Sequence, residues 1–217
     1  MEIIHFFDIN GQHKENADID LKKLYSNIDS PIRILNKFTN RDNNTNPPKH
    51  SEDKLLVEYN FDINLANGTK KINCYIIYNF SVSHQSTLNS LGYVVFFNLE
   101  NDKIDDLLGK IIDYIKDNCS LNVKTYMIGI FSNELKPDKT EKKMREFFDL
   151  EDFDYEYYQM FMGDDDSILE KYKGAGKVDT ILKKVLMDIF GSDSDIKKSS
   201  VDKTANENGS KVNCSIY

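Results

Sequence analysis

Three short stretches of the sequence carry residue types that could bind a ligand or a lipid. The polar loop DINGQHKE follows the apolar start of the chain and contains Gly11 and Lys14. A loop between a strand and a helix at the start of an α/β chain is where phosphate-binding loops occur. The stretch SNE follows a later apolar run and offers the amide of Asn133 and the carboxylate of Glu134. The final CSIY has Cys214 in a C-a-a-X pattern, which is typical of a prenylated cysteine.

Composition limits the classes of function. The 217 residues carry a net charge of -8, which argues against a nucleic-acid partner. The chain has three well-separated cysteines, an odd number that favours a reducing compartment and no disulfide framework. It has no secretory signal pattern and no apolar run near the roughly 20 residues that span a bilayer. We therefore expect a cytoplasmic protein.

Other catalytic and metal-binding patterns are weak. No serine lies in a G-x-S-x-G motif, and no histidine has a partner at metal-ligand spacing. The acidic run at 164–166 lacks the alternating oxygens and the glycine of a calcium loop. We therefore predict no metal site and no catalytic residue.

The elements that must position these residues are clearest between residues 92 and 131. Continuous apolar runs at 92–97 and 126–131 predict two strands buried on both faces. Between them, an apolar stripe at helical spacing comprises Ile104, Leu107, Leu108, Ile111, Ile112 and Ile115. Together they predict a right-handed βαβ unit. A site in such a sheet lies beyond the carboxyl ends of its strands, here at 98–100 and 132–134.

Further apolar runs predict the rest of the sheet. Four more strands are expected, at residues 2–7, 54–63, 71–79 and 154–162. Asn67-Gly68 joins the second and third of these as a β-hairpin. We therefore predict an α/β domain over residues 1–190, with a six-stranded, mostly parallel sheet, one antiparallel edge strand and helices on both faces.

Helical spacing and polar runs predict the remaining segments. Further helices are expected at residues 18–25, 141–150 and 177–190. Loops or turns are expected at residues 39–53, 80–89 and 163–167. Residues 191–217 are polar and predict a disordered tail.

The order of these elements, with the cysteine motif after the tail, resembles the Ras-like small GTPases over essentially the whole chain. The most specific local likeness is GYVVFFN with its following helix, and then residues 126–135, which are similar to the family's fourth strand, third helix and fifth strand. The resemblance implies a P-loop NTPase fold, a guanine nucleotide held with Mg²⁺, and a role in signalling or vesicle trafficking. On matching positions it assigns nucleotide binding to Gly11, Lys14, Asn133 and Glu134.

The nucleotide motifs depart from the family pattern in four places. Asp8 and His13 replace glycines of the phosphate loop, and Glu15 replaces the hydroxyl residue that binds Mg²⁺. Residues 79–82 have neither the acid nor the glycine of D-x-x-G. FSNE stands in place of N-K-x-D, and MGD in place of S-A-K. Four altered motifs together predict a domain that has kept the fold without GTP hydrolysis and without useful GTP binding.

Cys214 predicts a membrane tether. It follows a long polar tail, and the resemblance implies prenylation, with the terminal aromatic favouring a geranylgeranyl group. The charges of the tail balance, and a single lipid chain gives only modest membrane affinity. We therefore expect a peripheral protein on the cytoplasmic face of a membrane.

Three hypotheses follow. In the first, the protein is a pseudo-GTPase without a cofactor, tethered through Cys214, whose protein partner docks on the edge strand from Lys54 to Ile63 and adjacent loops. In the second, it is a divergent GTPase that binds GTP or GDP with Mg²⁺ through Lys14 and Glu134. In the third, it is an α/β scaffold subunit of a larger complex, and Cys214 is unmodified.

Overall fold

The computed structural model describes residues 2–9, 27–40, 56–65, 68–77, 89–120, 122–151, 154–191 and 197–198. The strands are β1 (Glu2–Asp8), β2 (Leu56–Leu65), β3 (Gly68–Ile77), β4 (Tyr93–Asn98), β5 (Thr125–Phe131), β6 (Tyr155–Phe161), β7 (Gly176–Lys177) and β8 (Lys197–Lys198). The helices are α1 (Pro31–Thr39), α2 (Ile104–Asn118), α3 (Glu141–Asp149), α4 (Asp166–Glu170) and α5 (Val178–Phe190), and Pro137–Lys139 is a 3₁₀ turn.

The described strands form one mixed, mostly parallel sheet in the order β7-β6-β5-β4-β1-β3-β2-β8. β1 is parallel to both β3 and β4, and β4 to β7 continue in parallel. β2 is antiparallel to β3 and to β8. The prediction of an α/β protein with a mostly parallel sheet is confirmed. The predicted number of six strands is too low, because β7 and β8 add two-residue strands, and β6 is therefore not the last strand.

The predicted hairpin is present. β2 and β3 pair along their whole length, from Leu56 opposite Ile77 to Leu65 opposite Gly68. Gly68 has a φ of +124°, a conformation that residues with a side chain rarely adopt. This glycine therefore lets the chain reverse at the position where the sequence predicts the turn.

Helices cover both faces of the sheet. On one face, α1 and α5 pack against a core that includes Phe6, Phe96 and Ile128. On the other face, α2 and α3 pack against a core that includes Phe97 and Met127. Successive strand residues point to opposite faces, so β4 and β5, which are buried along almost their whole length, need helices on both sides.

Helix α1 was not predicted, although its sequence carries the signals of a helix. Pro31 occupies its first turn, where the missing N–H costs nothing, and Asn40 ends it in the left-handed conformation. Ile32, Leu35 and Phe38 form its buried stripe. The predicted helix at 18–25 lies outside the described residues, as do the predicted loops and tail except at residues 39–40, 89, 163–167, 191 and 197–198.

Candidate functional site

The carboxyl ends of β4, β5 and β6 converge at one edge of the sheet. The Leu99 N–H donates to the Ile130 carbonyl at 2.8 Å, and the Met162 N–H donates to the Phe131 carbonyl at 2.8 Å. The segments after the three strands therefore leave the sheet side by side.

The strand order reverses beside β1, because β1 lies between β3 and β4. Ligand sites in α/β sheets lie at such a point.

Glu100 joins the segment after β4 to the segment after β5. Its Oε1 accepts hydrogen bonds from the Ser132 N–H at 2.5 Å, the Ser132 hydroxyl at 3.0 Å and the Asn133 N–H at 2.8 Å. The Asn133 side-chain amide lies 3.3 Å from each carboxylate oxygen. The Glu100 N–H in turn donates to Asn98 Oδ1 at 2.8 Å. One carboxylate therefore takes both backbone donors at the start of the loop after β5.

These contacts set the charge of Glu100. Partial burial acts to raise the pKa of the Glu100 carboxyl, but the hydrogen bonds from Ser132 and Asn133 outweigh burial and hold that pKa below its ordinary value. Glu100 is therefore ionised at neutral pH. An acid with a lowered pKa is a structural acceptor of hydrogen bonds and a poor general acid or base.

The other predicted residue of this loop, Glu134, also has a partner within the chain. Its carboxylate forms an ion pair with Lys171, which follows α4. The hydrogen bond to Glu134 raises the pKa of Lys171. Next along the loop, the Leu135 N–H donates to the Tyr172 hydroxyl at 2.7 Å, and the rings of Phe131 and Tyr172 lie 5.1 Å apart. The segment from α4 to β7 therefore holds the loop from the side opposite Glu100.

A second set of ion pairs clamps the same loop to the start of α2. Lys136 pairs with Asp102. Lys139, whose side chain is only 6% exposed, places Nζ 2.7 Å from Asp105 Oδ1. Burying an ammonium is costly unless a carboxylate pairs with it, so the contact with Asp105 stabilises the packed position of Lys139. The loop from 132 to 139 is thus positioned by contacts with three different parts of the chain.

Two of the predicted nucleotide-binding residues, Asn133 and Glu134, are neighbours in the chain and lie just after β5, at the edge of the sheet where the sequence places a site. Gly11, Lys14 and Cys214 lie outside the described residues. Glu100 is the residue to which sequence reasoning gave no role. Its position just past the end of a buried strand was the available signal, since neighbouring parallel strands bring such residues together.

Two further properties of the described residues concern metals and membranes. They contain no group of three histidine, cysteine or acidic side chains arranged to hold a metal ion. Among the helices that the structure describes, none combines the length and the apolar character that crossing a membrane requires.

The chain matches no protein-family model, and no curated protein is significantly similar to it in sequence.

Proposed function

We propose that the chain is a small-GTPase-like protein that neither hydrolyses GTP nor binds guanine nucleotide usefully, and that it acts as a protein-binding module in signalling or trafficking. A lipid on Cys214 tethers it to the cytoplasmic face of a membrane. Its partner docks on β2 and the adjacent loops.

The fold part of the proposal is supported by the sheet. The parallel strands β1, β3, β4, β5 and β6, with β2 antiparallel beside β3, have the arrangement that the resemblance to the Ras-like family implies. Helices on both faces agree with the same expectation. A fold alone hosts many functions, so the argument about function depends on the loop after β5.

The observation that carries the proposal is the carboxylate of Glu100 on that loop. Ser132 and Asn133 lie just after the carboxyl end of β5, where ligand sites of such sheets lie, and Glu100 already accepts from both of their N–H groups. A nucleotide that used these donors would displace an ionised, hydrogen-bonded carboxylate, or would lie beside it. Glu100 therefore occupies the backbone donors that a ligand at this loop would use.

The ion pair of Glu134 adds a smaller effect. The resemblance assigns recognition of the guanine base to this carboxylate, which here pairs with Lys171. The two side chains are 63% and 56% exposed, so water screens the pair and it adds little to stability. A base could therefore compete with Lys171 more easily than with the contacts of Glu100.

The test is the nucleotide content of the purified full-length chain. The protein is denatured, and released nucleotide is quantified by chromatography beside an active small GTPase treated identically. Melting is then recorded with and without GTP and Mg²⁺, since a ligand at 100 times its Kd stabilises the native state by about 2.7 kcal/mol. We expect neither stoichiometric nucleotide nor a melting shift.

Stoichiometric GDP or GTP would overturn the proposal in favour of the divergent GTPase. In that case Lys14→Ala and Glu134→Ala should each weaken nucleotide binding. The tether is tested separately by mass spectrometry of the C-terminal peptide from eukaryotic cells. A mass increase of a prenyl group on Cys214 supports the tether, whereas an intact, unlipidated terminus favours the scaffold hypothesis.

A further inference from the structure

β6 forms one edge of the sheet wherever the two-residue strand β7 does not cover it. β7 pairs with β6 only at Met160 and Phe161, and among the described strands none pairs with its outer edge from Tyr155 to Gln159. The Met162 N–H, just after the strand, donates to β5. Because backbone groups alternate along a strand, the odd-numbered residues of β6 direct their N–H and C=O groups outward. Such an edge is a template on which another strand can add.

The sequence of β6 favours pairing of this edge with a copy of itself. YEYYQMF is rich in aromatic residues, lacks proline and carries one charged residue, Glu156, a composition typical of segments that associate as β-strands. In an antiparallel pair centred on Tyr157, that residue faces its own copy, and Glu156 faces Tyr158 of the other copy. Like charges therefore do not face each other, and Glu156 is in addition paired with Lys124 at 3.2 Å.

Arg145 of α3 occupies the backbone acceptor at the centre of this edge. Its Nη2 donates to the Tyr157 carbonyl at 3.0 Å, and its guanidinium carbon lies 5.6 Å from the centroid of the Tyr157 ring. Glu141 fixes the guanidinium, since its Oε1 accepts from Nε at 3.1 Å and from Nη2 at 3.0 Å. Arg145 therefore blocks an acceptor that an incoming strand must use, and it places a charge beside the strand.

We propose that Arg145 closes the outer edge of β6 and thereby prevents a second copy of the chain from adding its own β6 as an antiparallel strand. The strand kept out is that of a second copy, because this edge alone completes the pair about a two-fold axis. In such a pair, the Tyr157 N–H of each copy would donate to the Tyr157 carbonyl of the other, which is the acceptor that Arg145 occupies. This edge lies at the other side of the sheet from β2, so the inference does not rest on the proposed function.

The test compares self-association of the full-length parent chain, Arg145→Ala and Lys142→Ala by sedimentation velocity over a series of concentrations. Lys142 provides the matched control, because it lies on the same helix, its side chain is 85% exposed and its loss changes the net charge equally. We expect Arg145→Ala to self-associate at least about tenfold more tightly than either, since the freed carbonyl can accept from a second strand. Hydrogen exchange should show that association protects amides within residues 155–159.

A rescue variant separates strand addition from aggregation of unfolded chains. Tyr155→Lys adds a charge to the open part of the edge, a feature by which natural sheets prevent pairing. In the Arg145→Ala background it should return self-association to the level of the parent, whereas aggregation of unfolded chains would persist. Arg145→Lys keeps the charge but not the planar, bidentate group, so its self-association should lie between those of the parent and Arg145→Ala.

Equal self-association of Arg145→Ala and Lys142→Ala would overturn the proposal. Protection outside β6, or association that Tyr155→Lys leaves unchanged, would overturn it as well. If the alanine variant does not fold, equal self-association of Arg145→Lys and the parent would have the same consequence. None of these outcomes involves nucleotide, so failure of this inference is distinguishable from failure of the proposed function, which bound GDP or GTP would reveal.

Discussion

Gly163 follows β6 and lies close to Ser132, the first residue after β5, because it has no side chain. Its replacement by alanine tests how tightly the carboxyl ends of β5 and β6 are packed. A Cβ added at Gly163 would lie 2.6 Å from the Ser132 carbonyl oxygen and 2.6 Å from Phe161 Cζ. Ordinary van der Waals contact begins at 3.4 Å, so each distance is about 0.8 Å too short. A backbone carbonyl cannot swing aside as a side chain can. The two strand ends must therefore separate.

The cost of that separation has two parts. Overpacking a well-packed interior costs about 1–3 kcal/mol. Weakening the nearby hydrogen bond from the Met162 N–H to the Phe131 carbonyl costs about 1 kcal/mol more. We therefore expect Gly163→Ala to lower the free energy of unfolding by about 3 kcal/mol. At about 2–4 °C per kcal/mol for a domain of this size, Tm should fall by about 6–12 °C.

The matched control is Gly109→Ala in α2, where an added Cβ would meet no atom within 4 Å. Alanine in a helix is preferred over glycine by about 0.5–1 kcal/mol, so this variant should be more stable than the parent. Both variants are measured by urea unfolding and by thermal melting. If Gly163→Ala were as stable as the parent while Gly109→Ala behaved as expected, the packing of the loop after β5 against Gly163 would be refuted.

Two further predictions concern the site and the core. Glu100→Ala should lower the free energy of unfolding by about 1 kcal/mol at neutral pH, like the loss of a helix cap, because it leaves the Ser132 and Asn133 N–H groups without their acceptor. Because the folded-state pKa of Glu100 is below its ordinary value of 4.5, the contribution of its charge is present above pH 4.5 and declines as pH falls through the lowered pKa. Urea titrations at several pH values should show the parent and the variant converging in acid, and a pH-independent difference would contradict the reasoning. Phe148→Ala should cost about 3–5 kcal/mol by leaving a cavity between the rings of Phe97 and Tyr157, measured by calorimetry, whereas a loss under about 1 kcal/mol would mean that α3 does not pack as described.

Periodicity was enough to predict most of the elements that are long or buried, although the nine-residue helix α1 was missed. The runs around Val94 and Ile128 and the stripe along α2 predict β4, α2 and β5 within a few residues of their observed bounds. Short elements were missed. α4 has five residues, and β7 and β8 have two each, so they carry too few positions for a period of 3.6 or 2 to appear. These elements depend on neighbours that are distant in sequence.

The sequence by itself determined the fold class and the edge of the sheet at which a site would lie. Both follow from local patterns, because alternation and helical spacing decide which segments are strands and helices, and parallel strands align their carboxyl ends. Only the tertiary structure decided how the polar residues at that edge are partnered. Glu100 and Ser132 are 32 positions apart and Glu134 and Lys171 are 37 apart, and no local pattern predicts their contact. Such pairs form because the sheet brings distant segments within hydrogen-bonding reach, and burial and charge then select their partners.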